Sequence, residues 1–125
     1  MSRRRVVITG LGIISPLGIG AEPFWNGLIA GKSGLRTITQ YDASALPCRI
    51  AGEVDGFDAK AFLDRKERKR LAVMPRSMQL AAAGAKLAMD DARLPPGAGN
   101  PERFGVIFGS GCLHDDLSGQ IGRAH

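Results

Sequence analysis

Near the end of the chain a cysteine and a histidine stand with a single residue between them, Cys112-Leu113-His114. A thiol becomes a nucleophile when a neighbouring imidazole or cation favours its thiolate, and residues so spaced on an extended segment share a face. Cysteine–histidine pairs are ordinarily assembled from separate parts of a fold. Plain burial or exposure is therefore the favoured reading of this pair. The other cysteine, Cys48, has only Arg49 beside it to lower its pKa. Two cysteines without dense spacing make neither a disulfide framework nor a zinc pattern, and they fit a reducing cytoplasm.

A second pattern lies at the start, where Val6-Val7-Ile8-Thr9-Gly10-Leu11-Gly12-Ile13-Ile14-Ser15-Pro16-Leu17-Gly18 runs an apolar strand into a glycine-rich turn. A dinucleotide loop needs Gly-x-Gly-x-x-Gly, with its last glycine opening a helix whose free N–H groups meet the pyrophosphate. Gly10 and Gly12 fit, but Ser15 holds the third position and Pro16 drives Ser15 toward extended geometry where that helix should begin. The candidate ribose acid, Asp42, stands 30 residues beyond Gly12, against the ~20 that such folds use. A tight structural turn is the better reading, and a small nucleotide-binding module remains a rival.

The third pattern is electrostatic. Of the formal net charge of +5, all is held in residues 60–76, where Lys60, Arg65, Lys66, Arg68, Lys69, Arg70 and Arg76 face only Asp64 and Glu67. A focused basic patch on a neutral body is an address for an acidic partner, although a solvated helix face carries the same signature. No aromatics interleave the cations and no nucleic-acid motif accompanies them.

These residues need a frame. A chain of 125 residues with 44% apolar and 23% charged residues suits one globular domain. Only Val6 to Ile8 are continuously apolar after Arg3-Arg4-Arg5, too few for an export signal, and no segment approaches the length of a membrane span. Residues 5–9 read as a buried strand. Residues 22–30 read as a helix, with Pro23 in its first turn, Phe24 and Leu28 on one face, and Gly31 just past its end. Residues 31–47 form a long irregular connection, and Arg49–Val54 a short strand near an edge, broken at Gly52. Asp58–Leu63 allows a turn or two of helix. Asp64-x-x-Glu67 has the form of a capping box that opens a helical element in the basic window.

The long helix is predicted from about Pro75 to Ala92, with Met78, Ala82, Ala85, Met89 and Ala92 on one apolar face. Its alanine content implies a close-packed neighbour. After the loop 94–101, Phe104–Phe108 is an apolar run of strand length. Continuously apolar strands separated by helices predict a sheet covered on both faces, an α/β layer architecture.

Several of these runs, in order, resemble the N-terminal part of the β-ketoacyl-[acyl-carrier-protein] synthases, synthase II type. They are Val6 to Gly18, Phe24-Trp25-x-x-Leu28-x-Ala30-Gly31-Lys32-Ser33-Gly34, Tyr41-Asp42-Ala43-Ser44, Ile50-Ala51-Gly52-Glu53-Val54 and Arg65-Lys66. Gln79-Leu80-Ala81 to Asp91-Ala92 and Pro101-Glu102-Arg103-Phe104-Gly105-Val106-Ile107-Phe108-Gly109-Ser110-Gly111 continue the match. The resemblance implies a thiolase-like layered α/β fold, of which residues 1–125 are the leading part. It implies an acyltransferase that condenses an acyl chain with malonyl-carrier protein in fatty-acid or polyketide synthesis. No cofactor or metal is implied, because the substrates ride on the phosphopantetheine of acyl carrier protein.

The family's nucleophilic cysteine and two histidines lie beyond the resembling region, so no catalytic residue is assigned here and the isolated chain is expected to be inactive. Gly111 and Cys112 fall where relatives line the acyl pocket, while Leu113-His114-Asp115-Asp116 departs from their glycine-rich continuation. Lys66, Lys69 and Arg70 match the basic segment that docks carrier protein, although the chain is a few residues longer around Leu71–Pro75. A homodimer or a paired synthase subunit is the implied assembly. A non-catalytic subunit resembling chain-length factors is the closest rival.

Overall fold

The computed structural model describes residues 4–95 and 97–109. The run from Arg4 to Ile13 leads into a tight hairpin of β1 (Ile14–Ser15) and β2 (Gly18–Ile19), antiparallel, with Ile14 opposite Ile19 and Ser15 opposite Gly18. Pro16 and Leu17 make the turn, the fixed φ of proline suiting its first central position. Ser15 locks it: Oγ accepts from the Leu17 N–H at 3.2 Å and donates to the Gly18 carbonyl at 3.1 Å. The proline therefore makes a hairpin where a dinucleotide loop would start a helix.

Helix α1 spans Ala21–Ile29 with Pro23 in its first turn. It ends in a Schellman pair, Lys32 N–H to Gly27 O and Gly31 N–H to Leu28 O, both 3.0 Å. Gly31 takes the left-handed position with φ 64°, as its place in the sequence predicts. Strands β3 (Leu35–Thr37) and β4 (Ile50–Gly52) pair antiparallel, Arg36 opposite Ala51. The sequence reading of 31–47 as irregular is corrected by β3. Leu35-Arg36-Thr37 is too short to show a period of its own and becomes a strand only by bonding to β4. The ring of Pro16 packs against the backbone at Gly34 and Gly52, joining the first hairpin to the second.

Two 3₁₀ turns follow, Ala59–Ala61 and Glu67–Val73. The first is capped by Asp58, whose Oδ1 accepts from the Lys60 N–H at 2.9 Å. In the second only half of the predicted capping box forms: Glu67 Oε2 accepts from the Asp64 N–H at 3.4 Å, and the Asp64 carbonyl, in place of its carboxylate, accepts from Glu67 and Arg68. Helix α2 then spans Arg76–Asp91, within a residue of its predicted bounds. Gln79 Nε2 reaches back to the Met74 carbonyl at 2.8 Å and so ties the two elements together. A third 3₁₀ turn covers Pro101–Arg103.

The close neighbour of α2 is the N-terminal run itself. A Cβ built on Gly12 would stand 1.9 Å from the Gly84 carbonyl oxygen, and one on Gly10 would stand 2.3 Å from that of Ala88. Leu11 N–H donates to Asp91 Oδ2 at 2.8 Å between them. The packed stripe of α2 is therefore Gly84, Ala88 and Ala92, with Ala83 fully buried, and the predicted stripe is rotated from it. Met78 of the predicted face is more than half exposed; the run lies instead where the small residues Gly84 and Ala88 let a backbone approach. Among the described residues the buried apolar side chains are all alanines, Ala43, Ala59 and Ala83.

Residues 5–9 and 104–108 are not strands of a ladder here, and the described strand pairs are both antiparallel. Val6 is 92% exposed and Ile107 97%. A strand exists through bonds to its neighbours, and no described segment lies alongside either run. Apolar stretches left this bare mark surfaces built to be covered.

Candidate functional site

The seven cations of the basic window are all exposed. Lys66 precedes the 3₁₀ segment and Lys69 and Arg70 lie within it. With three residues per turn, Lys66 and Lys69 eclipse on one edge and Arg70 flanks them. Among the described residues none of these three takes part in an ion pair. Glu67, the carboxylate nearest in sequence, is turned back to the Asp64 N–H. The segment thus presents an unneutralised positive ridge, able to meet a negatively charged helix or loop.

The remaining candidates do not converge on it. Cys48 is exposed, its Sγ 3.5 Å from the Ile50 carbonyl, and Arg49 Nε donates to the Leu46 carbonyl at 3.4 Å. Asp42 is engaged in its own turn, Oδ1 accepting from the Ser44 N–H at 3.0 Å, and that bond holds its carboxyl below the usual range. Gly10 and Gly12 face α2, and the next helix starts only at Ala21, so neither cradles a phosphate. The acyl-pocket candidates Gly111 and Cys112, and His114, lie outside the described residues. Among the described residues no cluster of His, Cys, Asp or Glu could hold a metal, and no helix is long and apolar enough to cross a membrane.

Sequence reasoning gave no role to Glu53, which is buried beside β4. Its carboxylate accepts from Thr39 N–H at 3.0 Å, Thr39 Oγ1 at 2.7 Å and Gln40 N–H at 3.0 Å. Arg36 Nε stands 3.8 Å away, and the rest of that guanidinium is bonded to Asp55. The Thr39 hydroxyl and N–H above all hold the Glu53 carboxyl below its ordinary value, against the opposing effect of burial, with Gln40 and Arg36 adding to the same sense. With its oxygens so occupied, Glu53 is an anchor for Thr39 and Gln40 and no general base. It lines an open groove of about 620 Å³ between the β3–β4 hairpin and the start of α2, beside Tyr41 and Arg76.

A testable consequence concerns acid. A carboxyl whose folded pKa is depressed contributes its stability above the unfolded titration range and loses it as pH falls through the folded value. The Thr39 and Gln40 amides should therefore be protected at neutral pH and open in acid. Glu53→Gln, which removes the charge and turns a donor toward donors, should raise their hydrogen-exchange rates about tenfold at pH 7. Unchanged exchange would show that the anchor does not hold.

The model of the family described as "Beta-ketoacyl synthase, N-terminal domain" matches residues 3–122. The 3-oxoacyl-[acyl-carrier-protein] synthase 2 of Synechocystis sp. is 43% identical over 111 residues, 89% of this chain and 26% of that protein. Its namesake in Coxiella burnetii is 45% identical over the same shares. The granaticin polyketide putative beta-ketoacyl synthase 1 of Streptomyces violaceoruber is 46% identical over 86% of this chain and 25% of its own length. A solved structure, the ishigamide ketosynthase/chain length factor, superposes with a TM-score of 0.68 at 41% identity, over 75% of this chain and 23% of that one. The chain spans about a quarter of the length of the relatives it matches.

Proposed function

The chain belongs to the β-ketoacyl synthase N-terminal domain family and has the thiolase-like α/β fold, and from that premise we propose that it is the leading portion of a 3-oxoacyl-[acyl-carrier-protein] synthase. The reaction is the condensation of an acyl chain, held as a thioester on an active-site cysteine, with the carbanion left when malonyl-carrier protein loses carbon dioxide. In this reading residues 1–125 supply scaffold, part of the acyl pocket and a docking surface for acyl carrier protein, with no catalytic group among them. The carrying observation is the identity to proteins named 3-oxoacyl-[acyl-carrier-protein] synthase 2 along nine-tenths of the chain. The positive ridge of Lys66, Lys69 and Arg70 supports the carrier as partner, since an acidic protein is the complement of such a surface.

The test is condensation by the intact subunit with acyl- and malonyl-carrier protein, with the 125 residues alone as comparison. Product from the intact subunit and none from the 125 residues is expected; absence of carbon–carbon bond formation by the intact subunit overturns the synthase reading. A second reading, a chain-length-factor-like partner without its own nucleophile, is favoured by the ketosynthase/chain length factor likeness. Acylation of a thiol in the intact subunit decides against it.

Gly111 and Cys112 are proposed to line the acyl pocket, a buried cysteine behaving there as a small hydrophobe. Cys112→Ala should keep condensation, whereas Cys112→Phe, by filling space, should shift the preferred acyl length downward. Loss of acyl-enzyme in the alanine variant would instead make Cys112 a nucleophile.

A further inference from the structure

We propose that Arg76, acting through Phe57, is a positioning residue of the carrier-docking ridge and not one of its contact charges, a role that rests on the docking reading above. The cations of the window fall into two groups by what their donors do. The guanidinium of Arg76 lies over the Phe57 ring, 5.6 Å from its centroid, and Nη2 donates to the Val54 carbonyl at 3.2 Å. Phe57 in turn stacks on Phe62, with ring centroids 5.9 Å apart and planes 18° from parallel. Phe62 closes the Ala59–Ala61 turn, its N–H bonded to the Ala59 carbonyl at 3.1 Å. The carbonyl of Leu63, next in the chain, accepts from Arg68 Nε at 3.1 Å, inside the ridge segment itself.

A continuous track therefore runs from the first residue of α2, through two stacked rings, to the base of the ridge. Among the described residues, the side chains of Lys66, Lys69 and Arg70 show no such engagement and keep their donors for a partner. Net charge alone cannot make this distinction, since Arg76 counts in the +5 like any other cation. A guanidinium that lies over a ring and also donates to a carbonyl is a place where lysine, a point charge without the planar fork, does not substitute for arginine.

The experiment measures steady-state condensation by the intact subunit with carrier-bound substrate and with a short pantetheine thioester. Phe57→Leu removes the aromatic face and no charge; Arg76→Lys keeps the charge and loses the guanidinium fork that reaches both the ring and the Val54 carbonyl. Each should raise KM for carrier-bound substrate roughly three- to tenfold, leaving kcat and the pantetheine KM unchanged, and the double variant should be no worse than either single one. Arg76→Lys behaving as wild type while Arg76→Gln weakens docking would make Arg76 a contact charge and overturn the proposal. Phe57→Leu without effect, or equal losses on both substrates, would overturn it too. If replacing Lys66, Lys69 and Arg70 together by alanine leaves the carrier KM unchanged, the docking reading itself fails. If that variant weakens docking and Phe57→Leu does not, only the positioning role fails.

Discussion

Replacing Gly12 by alanine is expected to destabilise the intact subunit by about 3 kcal/mol, the upper end for overpacking, and to cut its soluble yield. The added Cβ would sit 1.9 Å from the Gly84 carbonyl oxygen and 2.7 Å from the Ala88 nitrogen. Both obstacles are helix backbone, which cannot rotate aside as a side chain would, so the whole N-terminal run must lift from α2. The reciprocal change is expected to be mild. A Cβ on Gly84 meets nothing nearer than the Gly12 carbonyl oxygen at 4.0 Å, and alanine in a helix interior gains up to about 1 kcal/mol over glycine. Thermal unfolding of the two variants checks the order; a Gly12→Ala protein that melts with the wild type would mean that the run does not lie on α2.

Changing Lys66, Lys69 and Arg70 together to alanine is expected to raise KM for carrier-bound substrate about tenfold, leaving a pantetheine thioester unaffected. Exposed ion pairs are worth ~0.2–1 kcal/mol each, so three of them sum to roughly the 1.4 kcal/mol of one decade. Because the ridge is exposed, salt should erode the wild-type advantage as the screening length shrinks from ~10 Å at 0.1 M to ~3 Å at 1 M. The variant, having lost that attraction, should respond little to salt. A parallel loss on both substrates would remove the docking role.

The helices were the legible part of this fold. Gly31 marks the end of α1 because a left-handed position is needed there, and Pro75 marks the start of α2 because proline cannot lie deeper in a helix. Both signals are local. What the sequence hid depends on distant partners. Leu35-Arg36-Thr37 is a strand only because Ile50–Gly52 lies beside it, and the apolar runs 5–9 and 104–108 promise strands that no described segment pairs. The Gly10-x-Gly12 spacing was visible as special, but spacing does not say whether a phosphate or a helix comes close. Of the candidate site, the ridge was legible through charge alone. Glu53, Phe57 and the separate use made of Arg76 were not, since burial, ring stacking and bonds to backbone carbonyls leave no mark in a charge count.

The bond from Leu11 N–H to Asp91 joins residues 80 apart, and that separation sets a clock during synthesis. A ribosome adding ~5–20 residues per second needs about 4–16 s to reach Asp91 after Leu11 has been made. Throughout that interval Gly10 and Gly12 have no helix backbone to pack against. The close backbone approach of this run is therefore a late event of folding, fixed only when the last turn of α2 has been made.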